Sequence, residues 1–427
     1  MLGDKRFLRT IRLRNMLSFG PDTPELELQS LNVLIGPNGA GKSNLIEAIG
    51  LLQAAPTNLL DPVRTGGGIS DWLWKGSDGV PVAEIDATVF YPQGIMPLRH
   101  RLKFTMVGQR AELLDEAIEN EHQSRHGEPD VYFYYRYQGG HPVLNVRTYD
   151  LEGEQRVRGL RRQGALESDV PEVEGRTRRE LRRQDLALDQ SVLSQRKDPD
   201  QYPEVTHLGR EYARIRLFRE WNLGRNTQPR KPQPTDLPAD FLREDTANIA
   251  LVLNDLEHRS NLRASIVEQL READESIIDF SARVLGGTIQ LFLHYSGLKS
   301  PVPATRLSDG TIRYLCLLAV LCHPEPPPLV CLEEPELGLH PDLLGKLADL
   351  LVEASQRMQL IVTTHSDVLV DGLTKVPEAV IVCEKENGST KMSRRSSADL
   401  AVWLKEYGLG QLWRSGEIGK ASCRERV

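Results

Sequence analysis

Gly36-Pro37-Asn38-Gly39-Ala40-Gly41-Lys42-Ser43 is the stretch of sequence that decides the fold. It matches the pattern G-x-x-x-x-G-K-[ST] at every fixed position. The apolar run Leu31–Ile35 before it predicts a strand, and residues 44–52 after it repeat apolar side chains at the spacing of a helix. A glycine-rich turn between a strand and a helix predicts a loop whose backbone N–H groups surround phosphate oxygens, at the positive end of the helix dipole.

The chemistry of this loop predicts a site for a nucleoside triphosphate and Mg²⁺. Lys42 would neutralise charge on the β- and γ-phosphates, and Ser43 would ligate the metal. The alternative, a glycine-rich turn without a ligand, does not explain why both flanking elements are of the required kind. The residues predicted to bind the nucleotide are Gly36, Pro37, Asn38, Gly39, Ala40, Gly41, Lys42, Ser43 and Asn44.

A second candidate site follows the apolar run of residues 328–332, which ends in two adjacent acids, Glu333 and Glu334. A buried strand can place the first carboxylate of such a pair near Mg²⁺ and the second toward an attacking water. We therefore assign Glu333 to the metal shell and Glu334 as the general base that orients and deprotonates water. Taken alone, two acids after a strand are also typical of a solvated loop; the upstream lysine loop favours the catalytic interpretation.

Two shorter motifs complete the pattern. Residues 307–313 (LSDGTIR) precede an apolar run, and residues 363–366 (TTHS) end the strand predicted after the acid pair. Each has a plain structural interpretation, which is a helix cap for Ser308 and a structural role for His365. In the order phosphate loop, S-D-G signature, acid pair and histidine, the four motifs resemble the head of ABC-type ATPases. Within that superfamily the chain resembles the RecF/SMC-like branch of AAA-family ATPases.

The resemblance covers about residues 5–110 and 240–390. It implies that the nucleotide is ATP, that the reaction is hydrolysis to ADP and phosphate, and that the active form is an ATP-dependent homodimer. In such a dimer the signature of one copy contacts the γ-phosphate bound by the other copy.

The resemblance also implies roles for individual residues. His365 would hydrogen-bond the γ-phosphate, and residues 337–341 would cross the interface between copies. Asp309 departs from the transporter type, in which a second glycine is usual, but such a substitution is common in the RecF-like branch. No glutamine is assigned to Mg²⁺. The implied catalytic residues are Lys42, Glu334 and His365, the implied metal ligands are Ser43 and Glu333, and the implied signature residues are Ser308, Asp309 and Gly310.

The composition is that of a globular chain. Hydrophobic residues make up 40% and charged residues 26% of the 427 positions, which excludes wholesale disorder. The longest uninterrupted apolar run, residues 314–322, is far shorter than the roughly 20 residues that a membrane-spanning helix needs. The five cysteines form no C-x-x-C pair, which favours buried thiols over a disulfide framework or a zinc site. We expect a cytoplasmic protein without membrane contact.

The pattern predicts an α/β fold of the ABC-type head, with a mixed sheet, an antiparallel β-subdomain and a charged, helical insertion. Alternating strands and helices after residue 309 predict a parallel sheet, while strand-like runs between residues 82 and 146 predict an antiparallel one. The expected division is an N-terminal ATPase lobe (1–115), an insertion with a β-hairpin, a charged helical segment and a proline-rich linker (116–239), and a C-terminal ATPase lobe (240–427).

A basic patch interrupts the acidic chain. Residues 207–233 hold seven basic and two acidic side chains, a net charge of +5 in a chain of net charge −7. Such a patch predicts contact with nucleic-acid phosphates through Arg210, Arg214 and Arg216. The alternative is a solvated helix whose arginines pair with acids of residues 167–189.

Two functions therefore remain open. One is a DNA-associated ATPase in repair, recombination or defence against foreign DNA. The other is a regulatory ATPase that controls a separate effector protein, such as a nuclease, without binding DNA. Because only 62 residues follow His365, we expect any nuclease to be a separate chain. A transporter motor is disfavoured by the S-D-G signature and the insertion. The apolar residues of segment 400–420 predict either a helix that closes the core or a partner-docking surface.

Overall fold

The predictions for Cys423, for residues 153–173 and for residues 400–407 lie outside the part of the chain that the structure describes. The computed structural model describes residues 6–123, 131–138, 140–149, 174–180, 186–187, 189–258, 262–395, 408–416 and 418.

Within these residues the strands are β1 (Leu8–Arg14), β2 (Leu26–Glu27), β3 (Leu31–Ile35), β4 (Ala83–Val89), β5 (Leu98–Val107), β6 (Arg110–Asn120), β7 (Phe133–Gln138), β8 (His141–Tyr149), β9 (Glu174–Glu180), β10 (Arg216–Phe218), β11 (Gln233–Pro234), β12 (Ile277–Leu285), β13 (Thr288–Tyr295), β14 (Val302–Pro303), β15 (Leu329–Glu333), β16 (Gln359–Thr363), β17 (Val380–Glu386) and β18 (Ser389–Arg394).

The α-helices of the same residues are α1 (Lys42–Ala54), α2 (Asp61–Thr65), α3 (Ile69–Trp72), α4 (Val192–Gln195), α5 (Pro203–Ala213), α6 (Ile249–His258), α7 (Leu262–Ala273), α8 (Asp309–Leu321), α9 (Leu344–Ala354), α10 (Asp367–Gly372) and α11 (Leu409–Ser415). None of the helices that the structure describes is both long enough and apolar enough to span a membrane.

Two compact units make up the chain. The first contains Met1–Phe7, Leu28–Ile46 and Ile215–Val427, and the second contains Leu8–Glu27 and Glu47–Arg214. Each unit is built around sheets of its own. The three-part division of the sequence stays a prediction.

The first unit is built on a six-stranded sheet in the order β10-β15-β16-β3-β17-β18. Neighbouring strands are parallel except for β17 and β18. All five residues of β3 are buried, and its apolar side chains join those of β15 and β16 in one core with α8, α9 and α10. A smaller antiparallel sheet contains β11 to β14. The predicted α/β fold with a parallel sheet is confirmed.

The second unit is built on an eight-stranded sheet in the order β2-β1-β4-β5-β6-β7-β8-β9, in which every neighbouring pair is antiparallel. The antiparallel β-subdomain was therefore predicted correctly. The charged segment after residue 153 was predicted to be helical. Its described part instead contains the strand β9, which pairs with β8. The backbone of β8 offers an open row of N–H and C=O groups, and pairing with it overrides the weak helical preference of the charged residues.

The sequence pattern does not predict β6, because its many acids are unusual in a sheet. The structure buries two of these acids and pairs each of them. Glu119 contacts Arg101 at 3.3 Å and Arg136 at 3.1 Å. Glu116 accepts a hydrogen bond from the Ser191 hydroxyl. These partners lie on other elements, and they offset the free energy of burying a charge, which is otherwise prohibitive.

The described cysteines are free thiols, as predicted. Cys316, Cys331 and Cys383 are buried, and Cys322 is partly buried. Burial raises the pKa of both Cys316 and Cys383 to about 12, so these thiols stay protonated at neutral pH.

Candidate functional site

Three of the four sequence motifs meet at one edge of the parallel sheet. Residues 36–41 follow β3, Glu334 follows β15, and Thr364 with His365 follows β16. Because β15, β16 and β3 are parallel neighbours, their carboxyl ends share one edge. Ligands of open α/β sheets bind outside this edge.

The loop after β3 packs tightly against β17. A Cβ atom on Gly36 would lie 2.2 Å from the backbone oxygen of Cys383, and the φ angle of Gly36 is +147°, so only glycine fits there. The next turn brings the Lys42 side chain back under the loop. Its Nζ donates hydrogen bonds to the carbonyl oxygens of Gly36 at 2.8 Å and Pro37 at 3.1 Å.

The environment of Lys42 fits an anionic ligand. The residue is only 5% exposed, and burial lowers the pKa of its ammonium group. The carboxylates of Glu334 and Glu333 oppose this effect only in part. A phosphate at the mouth of the loop would supply the countercharge that two neutral carbonyls cannot.

The Ser43 hydroxyl and the first acid of the pair are in direct contact. Ser43 donates a hydrogen bond through its Oγ to Oε1 of Glu333. The second carboxylate oxygen of Glu333 lies 3.3 Å from Nε of Arg219. The backbone oxygen of Glu333 accepts a hydrogen bond from the Trp221 indole at 3.2 Å. A hydroxyl beside a carboxylate fits Mg²⁺, which takes one or two protein oxygens and completes its shell with phosphate and water oxygens. Among the described residues, no group of three or more His, Cys, Asp or Glu side chains forms a metal cage of its own.

The second acid adopts an unusual backbone conformation. Glu334 has a φ angle of +45°, in the left-handed region that few residues other than glycine adopt. Its N–H donates to the Thr363 carbonyl at 3.0 Å, and its own carbonyl accepts from Arg313 at 3.2 Å. Its Oε1 lies 3.5 Å from Nε2 of His365. Backbone strain of this kind is common at functional sites, and here neighbouring hydrogen bonds hold it.

A third acid, Glu336, forms a hydrogen bond with the backbone of the histidine. The buried Glu336 accepts, at Oε1, the N–H of His365 at 3.0 Å and the hydroxyl of Thr364 at 2.6 Å. Its other oxygen is buried and has no hydrogen-bond partner among the described residues. Glu336 therefore fixes the backbone from which the His365 side chain extends.

The S-D-G motif forms the start of α8. The Ser308 hydroxyl caps the helix by accepting the Thr311 N–H at 3.0 Å, so the structural interpretation of this serine is correct. A Cβ on Gly310 would lie 2.5 Å from the carbonyl oxygen of Gly338, which brings the signature turn against residues 337–341. Ser308, Gly310 and Gly338 line one cavity of about 570 Å³ with Thr311 and His340.

Several residues around this site belong to no motif or periodic pattern that would identify them from sequence. Arg219 and Trp221 reach the acid pair because β10 pairs with β15, and a three-residue strand has no clear periodicity. The structure stacks Trp221 on Phe218, with ring centroids 5.3 Å apart, beside the acid pair.

The basic patch is not one continuous helix. Arg210 and Arg214 belong to the end of α5, and both contact Glu211, at 3.3 and 3.1 Å. Arg216 lies on β10, in the other unit. The three arginines therefore do not share a helical face, and Arg210 and Arg214 pair with Glu211, which lies outside the 167–189 segment named in the alternative.

Comparison with known proteins places these motifs in a family. The family described as "AAA domain, putative AbiEii toxin, Type IV TA system" matches residues 31–371. The chromosome partition protein Smc of Desulfitobacterium hafniense (strain Y51) is 36% identical over 101 residues, which are 22% of this chain and 8% of that protein. The match therefore spans a small part of that relative's length.

Solved structures show the same fold. An SMC head bound to the C-winged helix domain of ScpA aligns with a TM-score of 0.53 and 15% identity, over 91% of this chain and 98% of that chain. An SMC head with an extended coiled coil, bound to the C-terminal domain of ScpA and derived from Pyrococcus furiosus, aligns with a TM-score of 0.55 and 14% identity, over 94% and 99% of the two chains. Since the family match covers more than half of the sequence, the chain belongs to this AAA-domain family, and its fold is that of an SMC-like, ABC-type ATPase head.

Proposed function

We propose that this chain binds ATP with Mg²⁺ at residues 36–44 and hydrolyses it to ADP and phosphate. The observation that carries the proposal is the direct contact between motifs that lie far apart in sequence. Ser43 contacts Glu333, and Glu334 contacts His365, at the edge where the buried Lys42 lies. This set supplies a countercharge for phosphate, a metal ligand pair and an acid beside a histidine.

Each residue has a distinct task in the proposed reaction. Lys42 would donate to phosphate oxygens in place of the two carbonyls that it contacts now. Glu334 would take a proton from the attacking water, and His365 would keep that carboxylate oriented and donate to the γ-phosphate. When bound, Mg²⁺ would neutralise charge on the phosphates.

We propose further that two copies of the chain complete each site. Ser308 and Gly310 lie at the exposed start of α8, where N–H and O–H donors are available to an anion. They share a cavity with residues 338–341, which belong to the segment 337–341 that the resemblance places at a dimer interface. This arrangement supports a signature that acts on ATP bound by the other copy.

Two variants test binding and hydrolysis separately. Lys42→Ala is expected to weaken ATP binding, whereas Glu334→Gln is expected to bind ATP and to lose about 100-fold or more in kcat, since a general base contributes about 10²–10⁴-fold. Fluorescent-nucleotide titration and phosphate release measure the two quantities. Lys391→Ala and Glu353→Gln, at exposed side chains, are the matched controls. Normal turnover in Glu334→Gln would contradict the assignment of the base.

The biological role that we propose is a DNA-associated ATPase of repair, recombination or defence. The excess of basic residues over positions 207–233 supports it. A second candidate is control of a separate effector protein, and the pairing of both Arg210 and Arg214 with Glu211 favours it, because this pairing leaves less uncompensated charge for DNA. DNA-stimulated turnover separates the two roles.

A further inference from the structure

One arginine of the basic patch is turned inward. The Arg230 side chain is only 4% exposed, whereas the neighbouring Arg225 is exposed. A buried guanidinium cannot contact DNA phosphates, so Arg230 has another use.

Most contacts of Arg230 are with residues 304–309, which form the signature turn and the residues just before it. Its Nε donates to the Leu223 carbonyl at 2.8 Å, and its Nη1 donates to the carbonyls of Ala304, at 3.4 Å, and Leu307. Its Nη2 forms an ion pair with Oδ1 of Asp309. One planar fork thus joins the proline-rich segment to the turn that enters α8.

Asp309 presents an electrostatic problem in the proposed dimer. Its side chain is 73% exposed, between Ser308 and Gly310, where the signature would meet a γ-phosphate. A carboxylate there repels a phosphate, because like charges at close range disfavour association. The glycine that is usual at this position in the transporter type would carry no such charge. Arg230 holds the carboxylate and cancels its charge.

We infer that Arg230 is a positioning residue of the signature, and that with Asp309 it forms a charge-neutral pair that makes this signature compatible with ATP bound by a second copy. The inference rests on the proposed function, since it requires the dimer. Arg230 acts through Asp309 and through the carbonyls of Ala304 and Leu307, which shape the turn.

The test uses ATP-dependent dimerisation in the Glu334→Gln background, measured by sedimentation with saturating ATP and Mg²⁺. Adding Arg230→Gln is expected to weaken dimerisation about tenfold, because an uncompensated carboxylate then faces the phosphate. Adding Asp309→Asn to that variant removes the repulsion and is expected to restore most of the loss. Binding of a fluorescent ATP analogue by the monomer should stay unchanged in both. Arg225→Gln is the matched control.

The outcomes separate the inference from the proposed function. A Glu334→Gln parent that stays monomeric contradicts the dimer and the inference with it. If the parent dimerises, equal dimerisation in Arg230→Gln overturns the inference alone. A double variant as weak as Arg230→Gln also overturns it, since a purely structural arginine would not be rescued by Asp309→Asn. Should Arg230→Gln fail to fold, Arg230→Lys keeps the positive charge, and a loss as large as tenfold in that variant would contradict charge compensation.

Discussion

Glu336 shows how a single side chain holds the candidate site together. It lies two residues after Glu334, yet it points to the end of a different strand and accepts hydrogen bonds from Thr364 and from the His365 backbone. Within the part of the chain that the structure describes, the other oxygen of this buried carboxylate has no hydrogen-bond partner. An unpaired buried polar atom is destabilising by itself.

Replacing Glu336 by alanine would leave the His365 N–H and the Thr364 hydroxyl without their acceptor. We expect the free energy of unfolding to fall by about 1–3 kcal/mol, the usual effect of unpaired buried groups. We also expect kcat to fall more than the KM for ATP rises, because His365 would lose its orientation. Denaturant unfolding and phosphate release measure these changes. Glu336→Gln is the matched control, since its amide oxygen can still accept both hydrogen bonds. Equal losses in the two variants would refute this account.

Helix α8 and the segment after β10 contact each other and the backbone of the acid pair. Arg313 of α8 donates to the carbonyl of Glu334 and lies over the Trp221 ring, 5.4 Å from its centroid. Trp221 in turn donates to the carbonyl of Glu333. The helix that begins with the S-D-G motif is therefore joined to the strained turn that carries the proposed base, Glu334.

This connection predicts that Arg313 acts on catalysis without touching ATP. Arg313→Lys removes the planar fork, and we expect kcat to fall about tenfold, the equivalent of one hydrogen bond, with ATP affinity changed less than about threefold. Trp221→Phe, which removes the indole N–H, should give a smaller loss of the same kind. Arg306→Lys, at an exposed position before α8, is the control. Loss of ATP affinity without loss of kcat would argue against the connection.

Elements with a regular apolar pattern could be predicted from sequence, and those held by distant polar partners could not. The apolar residues of β3, α8 and β15 are continuous or periodic, so the position of each element next to its motif could be predicted. β6 was missed because the partners of Glu116 and Glu119 come from other strands and from Ser191.

The same limit applies to the candidate site. The residues of the lysine loop and the acid pair carry short, ordered motifs. Arg219 reaches the site only through the pairing of β10 with β15, which no local spacing reveals. Arg313 and Glu336 lie next to the motifs in sequence, but their hydrogen-bond partners lie on other elements of the site. Arg230 was counted with the basic patch for this reason, although its partner is Asp309.

At the scale of the whole molecule, the proposed DNA role predicts a salt-dependent affinity. Reversing Arg210, Arg214 and Arg216 to Glu should weaken DNA binding and flatten the dependence on salt, by a log–log slope of about 0.9 for each phosphate that is no longer neutralised. Basal ATPase should persist, since none of the three belongs to the lysine loop or the acid pair. Charge reversal of the exposed Lys299, Lys375 and Lys391 is the control, and fluorescence anisotropy at several salt concentrations is the measurement.

Unchanged DNA affinity of the triple variant at low salt would shift the role to a protein effector. The pairing of Arg210 and Arg214 with Glu211 would then be the normal state of this surface.

The central claim is that each catalytic site combines the lysine loop of one copy with the signature of another. Mixing two inactive variants tests it most directly. Lys42→Ala lacks the proposed phosphate-binding lysine but has an intact signature. Ser308→Arg has an intact lysine loop but a blocked signature. Random exchange makes about half of the dimers mixed, each with one complete site, so the mixture should regain about a quarter of the wild-type phosphate release. Activity no greater than that of the two variants measured separately would contradict the claim.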